Sequence, residues 1–134
     1  MPVSWGHRPL EQTRERICIV DDDEAVADSL KALLETFGFG VQSYGSGVDF
    51  LADDRVSKAG CLVIDQQMPG MSGLDVVDHL QREGIRLPVI LISGRLDTST
   101  RERAASLGVT KIVDKPFAAS RLVNLIQATL SEPN

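Results

Sequence analysis

Four short stretches of this sequence carry residue types that chemistry needs: Asp21-Asp22-Asp23-Glu24, the single Asp65, Ser93-Gly94, and Asp114-Lys115-Pro116. Each stands directly after an apolar run: Ile17–Val20, Cys61–Ile64, Pro88–Ile92 and Val109–Val113. If those runs are parallel strands of one open sheet, their carboxyl ends share an edge, and ligands bind at that edge. Three carboxylates, a hydroxyl and an ammonium then converge, although they lie far apart in the chain. Each has an ordinary explanation alone. Asp22 or Asp23 can cap the next helix, a serine after a strand is a common turn residue, and a lone lysine is usually solvated. As a set they are harder to dismiss, because crowded carboxylates repel and raise one another's pKa unless a cation relieves them. Oxygen ligands without His or Cys fit a hard ion, Mg²⁺ first and Mn²⁺ as its substitute.

The elements that must position these groups show as a rhythm. The four apolar runs are rich in β-branched residues and read as strands buried on both faces. Val41-Gln42-Ser43-Tyr44 mixes polar with apolar residues and suits a fifth strand at the sheet edge. Between them, Val26, Leu30, Leu33, Leu34 and Phe37 fall on one helix face, as do Leu74, Val77 and Leu80, and Leu122, Leu125, Ile126 and Thr129. Ser46, Ser72 and Ser99 each stand three residues before an acid, the pattern of a helix start. Gly38, Gly84 and Gly108 stand where helices should stop. A strand-helix unit repeated five times predicts an α/β domain, a parallel sheet with helices on both faces and right-handed crossovers.

Composition narrows the function classes. The 134 residues suit one domain. The net charge of −5 disfavours wrapping nucleic acid or lying on an anionic membrane and favours binding a cation. Cys18 and Cys61 lie inside apolar runs and read as small core hydrophobes, not as a disulfide framework. The longest apolar stretches are four or five residues, far short of the ~20 of a membrane helix. With no apolar signal core at the N-terminus, the expected location is the cytoplasm. Residues 1–16 read as an N-terminal extension, with Trp5 either free or tucked onto the domain.

Four segments closely resemble the receiver domains of bacterial two-component response regulators: Ile19-Val20-Asp21-Asp22-Asp23-Glu24, Val63-Ile64-Asp65-Gln66-Gln67-Met68-Pro69-Gly70-Met71-Ser72-Gly73, Leu91-Ile92-Ser93-Gly94, and Asp114-Lys115-Pro116-Phe117. The resemblance spans residues 17–131. It implies a flavodoxin-like doubly wound (βα)5 fold with strand order 2-1-3-4-5. It also implies a phosphorylation switch in which Asp65 accepts the phosphoryl group. Asp21, Asp22, Asp65 and the backbone carbonyl of Gln67 would hold Mg²⁺, Asp22 more directly and Asp21 partly through water. Lys115 would pair with the phosphoryl group, and Ser93, followed by Gly94, would turn its hydroxyl toward a phosphoryl oxygen. The peptide between Lys115 and Pro116 is expected to be cis. Gln67 and Arg95, two residues beyond Asp65 and Ser93, would border the entrance and tune the lifetime of the phosphoryl group. The implied donor is a histidine kinase or histidine phosphotransfer protein. The implied output is a downstream partner, or a phosphorylation-dependent dimer, on the face of the fourth helix, fifth strand and fifth helix.

The chemistry is coherent by itself. Phosphoryl transfer depends mainly on placing the nucleophile in line and neutralising charge on the equatorial oxygens. An aspartate is already ionised at neutral pH, so it needs no general base. The cation and Lys115 oppose the charge. The product is a labile mixed anhydride that suits a decaying signal, in a domain that modifies itself and is not an enzyme in the ordinary sense.

One position departs from the family. Ile112 stands where a switching aromatic is expected, three residues before the lysine, so the output should depend more on the Ser93 loop and the fourth helix. That helix is thin in apolar residues, with Leu107 supported by Ala104 and Ala105. Competing readings fare worse. A haloacid-dehalogenase-type hydrolase wants an aspartate where Gln67 stands, and a substrate-cap insertion. A flavodoxin-like cofactor binder wants a Ser/Thr/Gly-rich loop where the four acids stand. The remaining alternative is a non-phosphorylated pseudo-receiver acting as an interaction module. Only about three residues follow the last helix, so no effector is expected on this chain, although the Met-Pro-Gly-Met-Ser-Gly run is similar to receivers that often precede helix-turn-helix domains.

Overall fold

β-branched and other apolar residues that alternate between two covered faces need helices on both sides of the sheet, and the chain supplies them. A computed structural model describes residues 16–132. The strands are β1 (Arg16–Val20), β2 (Gly40–Tyr44), β3 (Cys61–Asp65), β4 (Val89–Ser93) and β5 (Lys111–Asp114). All pair in parallel, in the order β2-β1-β3-β4-β5, so the mixed-polarity strand is indeed an edge. The helices are α1 (Glu24–Thr36), α2 (Gly47–Leu51), α3 (Gly73–Arg82), α4 (Thr98–Ser106) and α5 (Ala119–Ser131), with a 3₁₀ turn at Asp54–Lys58.

Successive strand residues serve different helices. Ile17, Ile19, Cys61, Val63, Ile90, Ile92 and Val113 pack with Leu30 and Leu34 of α1 and Leu122 and Ile126 of α5. Cys18, Val20, Leu62, Ile64 and Leu91 pack with Phe50 of α2, Leu74, Val77 and Leu80 of α3, and Ala104 of α4. Each large aliphatic side chain removed from water in this way contributes about 1.5–3 kcal/mol. Cys18 and Cys61 sit on opposite faces and are free and buried. Among the described residues no helix is long and apolar enough to cross a membrane.

Register brings the chemistry to one edge. Val20 pairs with Ile64, so Asp21 and Asp65 emerge side by side. Asp65 pairs with Ile92, and Ser93 with Asp114, which sets Ser93 and Lys115 beside it. The Lys115 N–H donates to the Ser93 carbonyl (2.9 Å).

Several local expectations are corrected. Phe37 is not on the buried face of α1. It follows the last helical residue and is 52% exposed, because Gly38 at φ +89° turns the chain there, and Ala27 joins Leu30 and Leu34 inside. Ser99 does not cap α4. Asp97 does, accepting from the Thr100 N–H (2.9 Å), and the Ser99 hydroxyl donates to the same carboxylate, a stronger acceptor placed one position before the helix. Val109 is outside β5, since its N–H closes the end of α4 on the Ala104 carbonyl (2.8 Å). Val123 takes the interior place on α5, and Leu125 is half-buried. Ala105 is exposed, so Ala104 alone anchors the body of α4. Ser46 and Ser72 cap α2 and α3 as expected, Ser72 in a full capping box with Asp75. The expected extension lies outside the described residues apart from Arg16, which opens β1.

Candidate functional site

Asp21 leaves the end of β1, and Asp22 follows it before Asp23 caps α1 by accepting from the Val26 N–H (3.2 Å). Asp65 ends β3. Carboxylate oxygens of Asp21, Asp22 and Asp65 lie within 4.8 Å of one another. Asp21 and Asp65 are each only 3% exposed, while Asp22 faces solvent. Burial pushes the Asp21 carboxyl above its usual range. The Asp23 backbone N–H at 2.8 Å opposes that shift, and the neighbouring Asp65 charge adds to it. The Lys115 ammonium donates to Asp65 Oδ2 at 3.0 Å, and the Gln67 N–H donates to Oδ1 at 3.2 Å. Three carboxylates thus face one ammonium across an open cleft that Gln67, Gly94 and Arg95 also line. An all-carboxylate donor set with excess negative charge and one solvent-facing member fits a hard divalent ion such as Mg²⁺ or Mn²⁺.

The rim of the cleft is held by the Gln67 side chain. Its Nε2 donates to Ser93 Oγ (3.1 Å) and to the Arg95 carbonyl (3.3 Å), and its Oε1 accepts from the Gly94 N–H (2.9 Å). Ser93 is 1% exposed, and its hydroxyl donates to the Arg95 carbonyl (2.9 Å) while accepting from the Arg95 N–H (3.2 Å). Arg95 therefore meets Ser93 through its backbone. The Lys115–Pro116 peptide is cis. Ile112 is half-buried on β5 and packs on the same core as Ala104 and Leu107.

Two features escaped the sequence reading. The Gln66 side chain accepts from the Leu74 N–H (2.8 Å) and its carbonyl from the Gly73 N–H (3.2 Å), which ties the start of α3 to the end of β3. A lone glutamine carries no local signal for that role. Second, α4 is held to α3 by polar contacts, Arg103 to Asp75 at 2.9 Å and Gln81 Nε2 to the Leu107 carbonyl at 2.7 Å. Opposite charges on the two helices were visible, but their pairing was not.

Over residues 17–127 the chain matches the family model of the response regulator receiver domain. It is 37% identical over 129 residues to response regulator protein TodT of Pseudomonas putida, covering 96% of this chain and 57% of that protein. It is 35% identical over 112 residues to transcriptional regulatory protein FixJ of Azorhizobium caulinodans, covering 84% of this chain and 53% of the relative. The chain spans about half the length of the curated relatives it matches. Among solved structures, the crystal structure of FixJ-N superposes with a TM-score of 0.79 at 32% identity, covering 89% of this chain and 95% of that one.

Proposed function

The chain belongs to the response regulator receiver domain family, and on that premise we propose that residues 17–131 form a receiver that takes a phosphoryl group onto Asp65. The observation that carries this reading is the Asp65 carboxylate, buried beside Asp21 and Asp22 with the Lys115 ammonium at 3.0 Å. The donor is a phosphohistidine of a histidine kinase or histidine phosphotransfer protein. An Asp65 oxygen attacks phosphorus in line, the O–P bond forms as the N–P bond breaks, and the electron pair returns to the donor's imidazole nitrogen. Asp21, Asp22, Asp65 and the Gln67 backbone carbonyl would hold Mg²⁺ or Mn²⁺, which when bound would supply positive charge against the phosphoryl oxygens. Lys115 exchanges its bond to the carboxylate for one to the transferred group. Ser93, hydrogen-bonded elsewhere before transfer, turns its hydroxyl toward a phosphoryl oxygen.

The group adds about −1.5 to −2 of charge at the sheet edge. Its effect reaches a partner, or a second receiver, through the α4-β5-α5 face. With Ile112 unable to swing a ring, the Ser93 loop and α4 carry the change. Gln67 and Arg95 at the rim set how readily water reaches the anhydride, and the domain works in the cytoplasm without binding nucleic acid itself.

The test is intact-mass spectrometry after incubation with acetyl phosphate, with and without Mg²⁺, on wild type and Asp65→Asn. One added phosphoryl group that requires both Mg²⁺ and Asp65 is expected. Undiminished incorporation in Asp65→Asn overturns the assignment. Absence of an adduct together with absence of a beryllofluoride complex identifies a pseudo-receiver instead.

A further inference from the structure

The donors nearest the Asp65 cleft are already in use. The Gly94 N–H gives its hydrogen to Gln67 Oε1 at 2.9 Å, and the same oxygen lies 3.3 Å from Ser93 Oγ. Gln67 Nε2 completes the arrangement by donating to Ser93 Oγ and to the Arg95 carbonyl. Gln67 is otherwise an exposed residue. Ordering a long exposed side chain costs rotamer entropy, so several simultaneous hydrogen bonds are needed to hold it across the gap from β3 to the loop after β4.

We infer that the Gln67 side-chain amide is an internal stand-in for the phosphoryl group: it occupies Gly94 and Ser93 before transfer and must be displaced for the switch to turn. This rests on the receiver reading above and concerns the regulation of the same site. A backbone N–H serves one strong acceptor at a time, and a serine hydroxyl has a single hydrogen. An amide oxygen at the Gly94 N–H therefore excludes a phosphoryl oxygen from it. Ser93, held by Gln67 and the Arg95 backbone, is likewise kept from the cleft. The phosphoryl group wins the exchange because hydrogen bonds to an ionised acceptor are about twice as strong as neutral ones. The latch still lowers apparent affinity, in proportion to the fraction of molecules in which it is closed. One structural element, the Gln67 rotamer, thus links the two states of the loop to the state of Asp65.

The experiment compares wild type with Gln67→Ala, Gln67→Met and Gln67→Glu. Met keeps the volume without the hydrogen bonds, and Glu keeps the acceptor at the end of the side chain. The first readout is the exchange rate of the Gly94 amide by NMR in unphosphorylated, Mg²⁺-free protein. Ala and Met variants should exchange it faster than wild type by about fivefold or more, and Glu should keep it protected. The second is affinity for beryllofluoride in Mg²⁺. Ala and Met variants should bind about three- to tenfold tighter, and Glu should bind more weakly than wild type through charge repulsion. Unchanged Gly94 exchange in Gln67→Met, or equal or weaker beryllofluoride binding by both Ala and Met variants, overturns the latch. If wild type itself fails to bind beryllofluoride, the receiver reading falls, while the Gly94 rates still decide whether the amide is held.

Discussion

Gly73→Ala places a methyl group against the backbone of the residue proposed to carry the phosphoryl group. The new Cβ would stand 2.8 Å from the Asp65 carbonyl oxygen, 3.2 Å from its carbonyl carbon and 3.0 Å from Leu91 Cδ1. Leu91 can rotate aside. The Asp65 carbonyl cannot, because Asp65 is paired in the sheet with Ile92 and the next N–H, of Gln66, is bonded to the Ile92 carbonyl at 2.8 Å. Two effects oppose each other. Alanine is the better helix former by at most about 1 kcal/mol, and at the first residue of α3 the gain is nearer ~0.5 kcal/mol. Overpacking against fixed backbone costs about 1–3 kcal/mol. The clash wins by roughly 1–2 kcal/mol, which lowers Tm by about 4–8 °C in a domain of this size. Gly94→Ala is the matched control. Its Cβ would meet only Lys115 Cδ and Cβ at 3.8 and 3.9 Å, ordinary contact distances, and should change stability by no more than about 0.5 kcal/mol. Urea unfolding followed by circular dichroism on the two variants decides the matter. A Gly73→Ala midpoint at or above wild type, or a Gly94→Ala midpoint falling as far, refutes the steric argument.

Three further outcomes are expected. With only Ala104 buried along α4 and polar tethers to α3, amide exchange in α4 should be faster than in α1 or α5, and Mg²⁺ with beryllofluoride should slow it; equal protection in both states counts against this. The Ser72 backbone N–H, and less strongly the Arg103 guanidinium, hold Asp75 below the usual carboxylate range. The unfolded chain therefore binds more protons in that window, stability rises with pH through it, and the contribution is lost as pH falls through the folded value. Because both side chains are about two-fifths exposed, the ion pair itself contributes only about 0.5 kcal/mol. Asp75→Asn should lower Tm at neutral pH by an amount that shrinks toward acid, and a pH-independent difference would contradict it. Burial pushes the Cys18 thiol up to about 11 and Cys61 up to about 12. Iodoacetamide under mildly alkaline conditions should leave the native mass unchanged and modify both thiols in denaturant, and an adduct on the native protein refutes this.

Much of this molecule was legible from short-range pattern. Ile17–Val20, Cys61–Ile64 and the run ending at Ile92 are β-branched stretches with no amphipathic period, and they became strands covered on both faces. Ser46 and Ser72 announced their helices because a cap needs only a hydroxyl and a backbone N–H three residues on. The acids, the serine and the lysine gathered at this edge could be named in advance because each directly follows an apolar run, and those runs form parallel strands whose ends share an edge. Errors gathered where two local signals competed. Asp97 and Ser99 both offered a cap, and the carboxylate won by strength and position. Phe37 kept the helical period but stood beside Gly38, whose left-handed turn ended the helix and left the ring outside.

What the sequence by itself determined was the order of elements and the list of reactive side chains, since periodicity, capping and turn chemistry act over three or four residues. Only the tertiary structure decided which of those side chains touch. That Gln67 spans to Ser93, Gly94 and Arg95, that Lys115 reaches Asp65, and that Arg103 selects Asp75 all follow from strand register and helix placement. Those depend on burying both sheet faces at once, a condition that no local window of the chain contains.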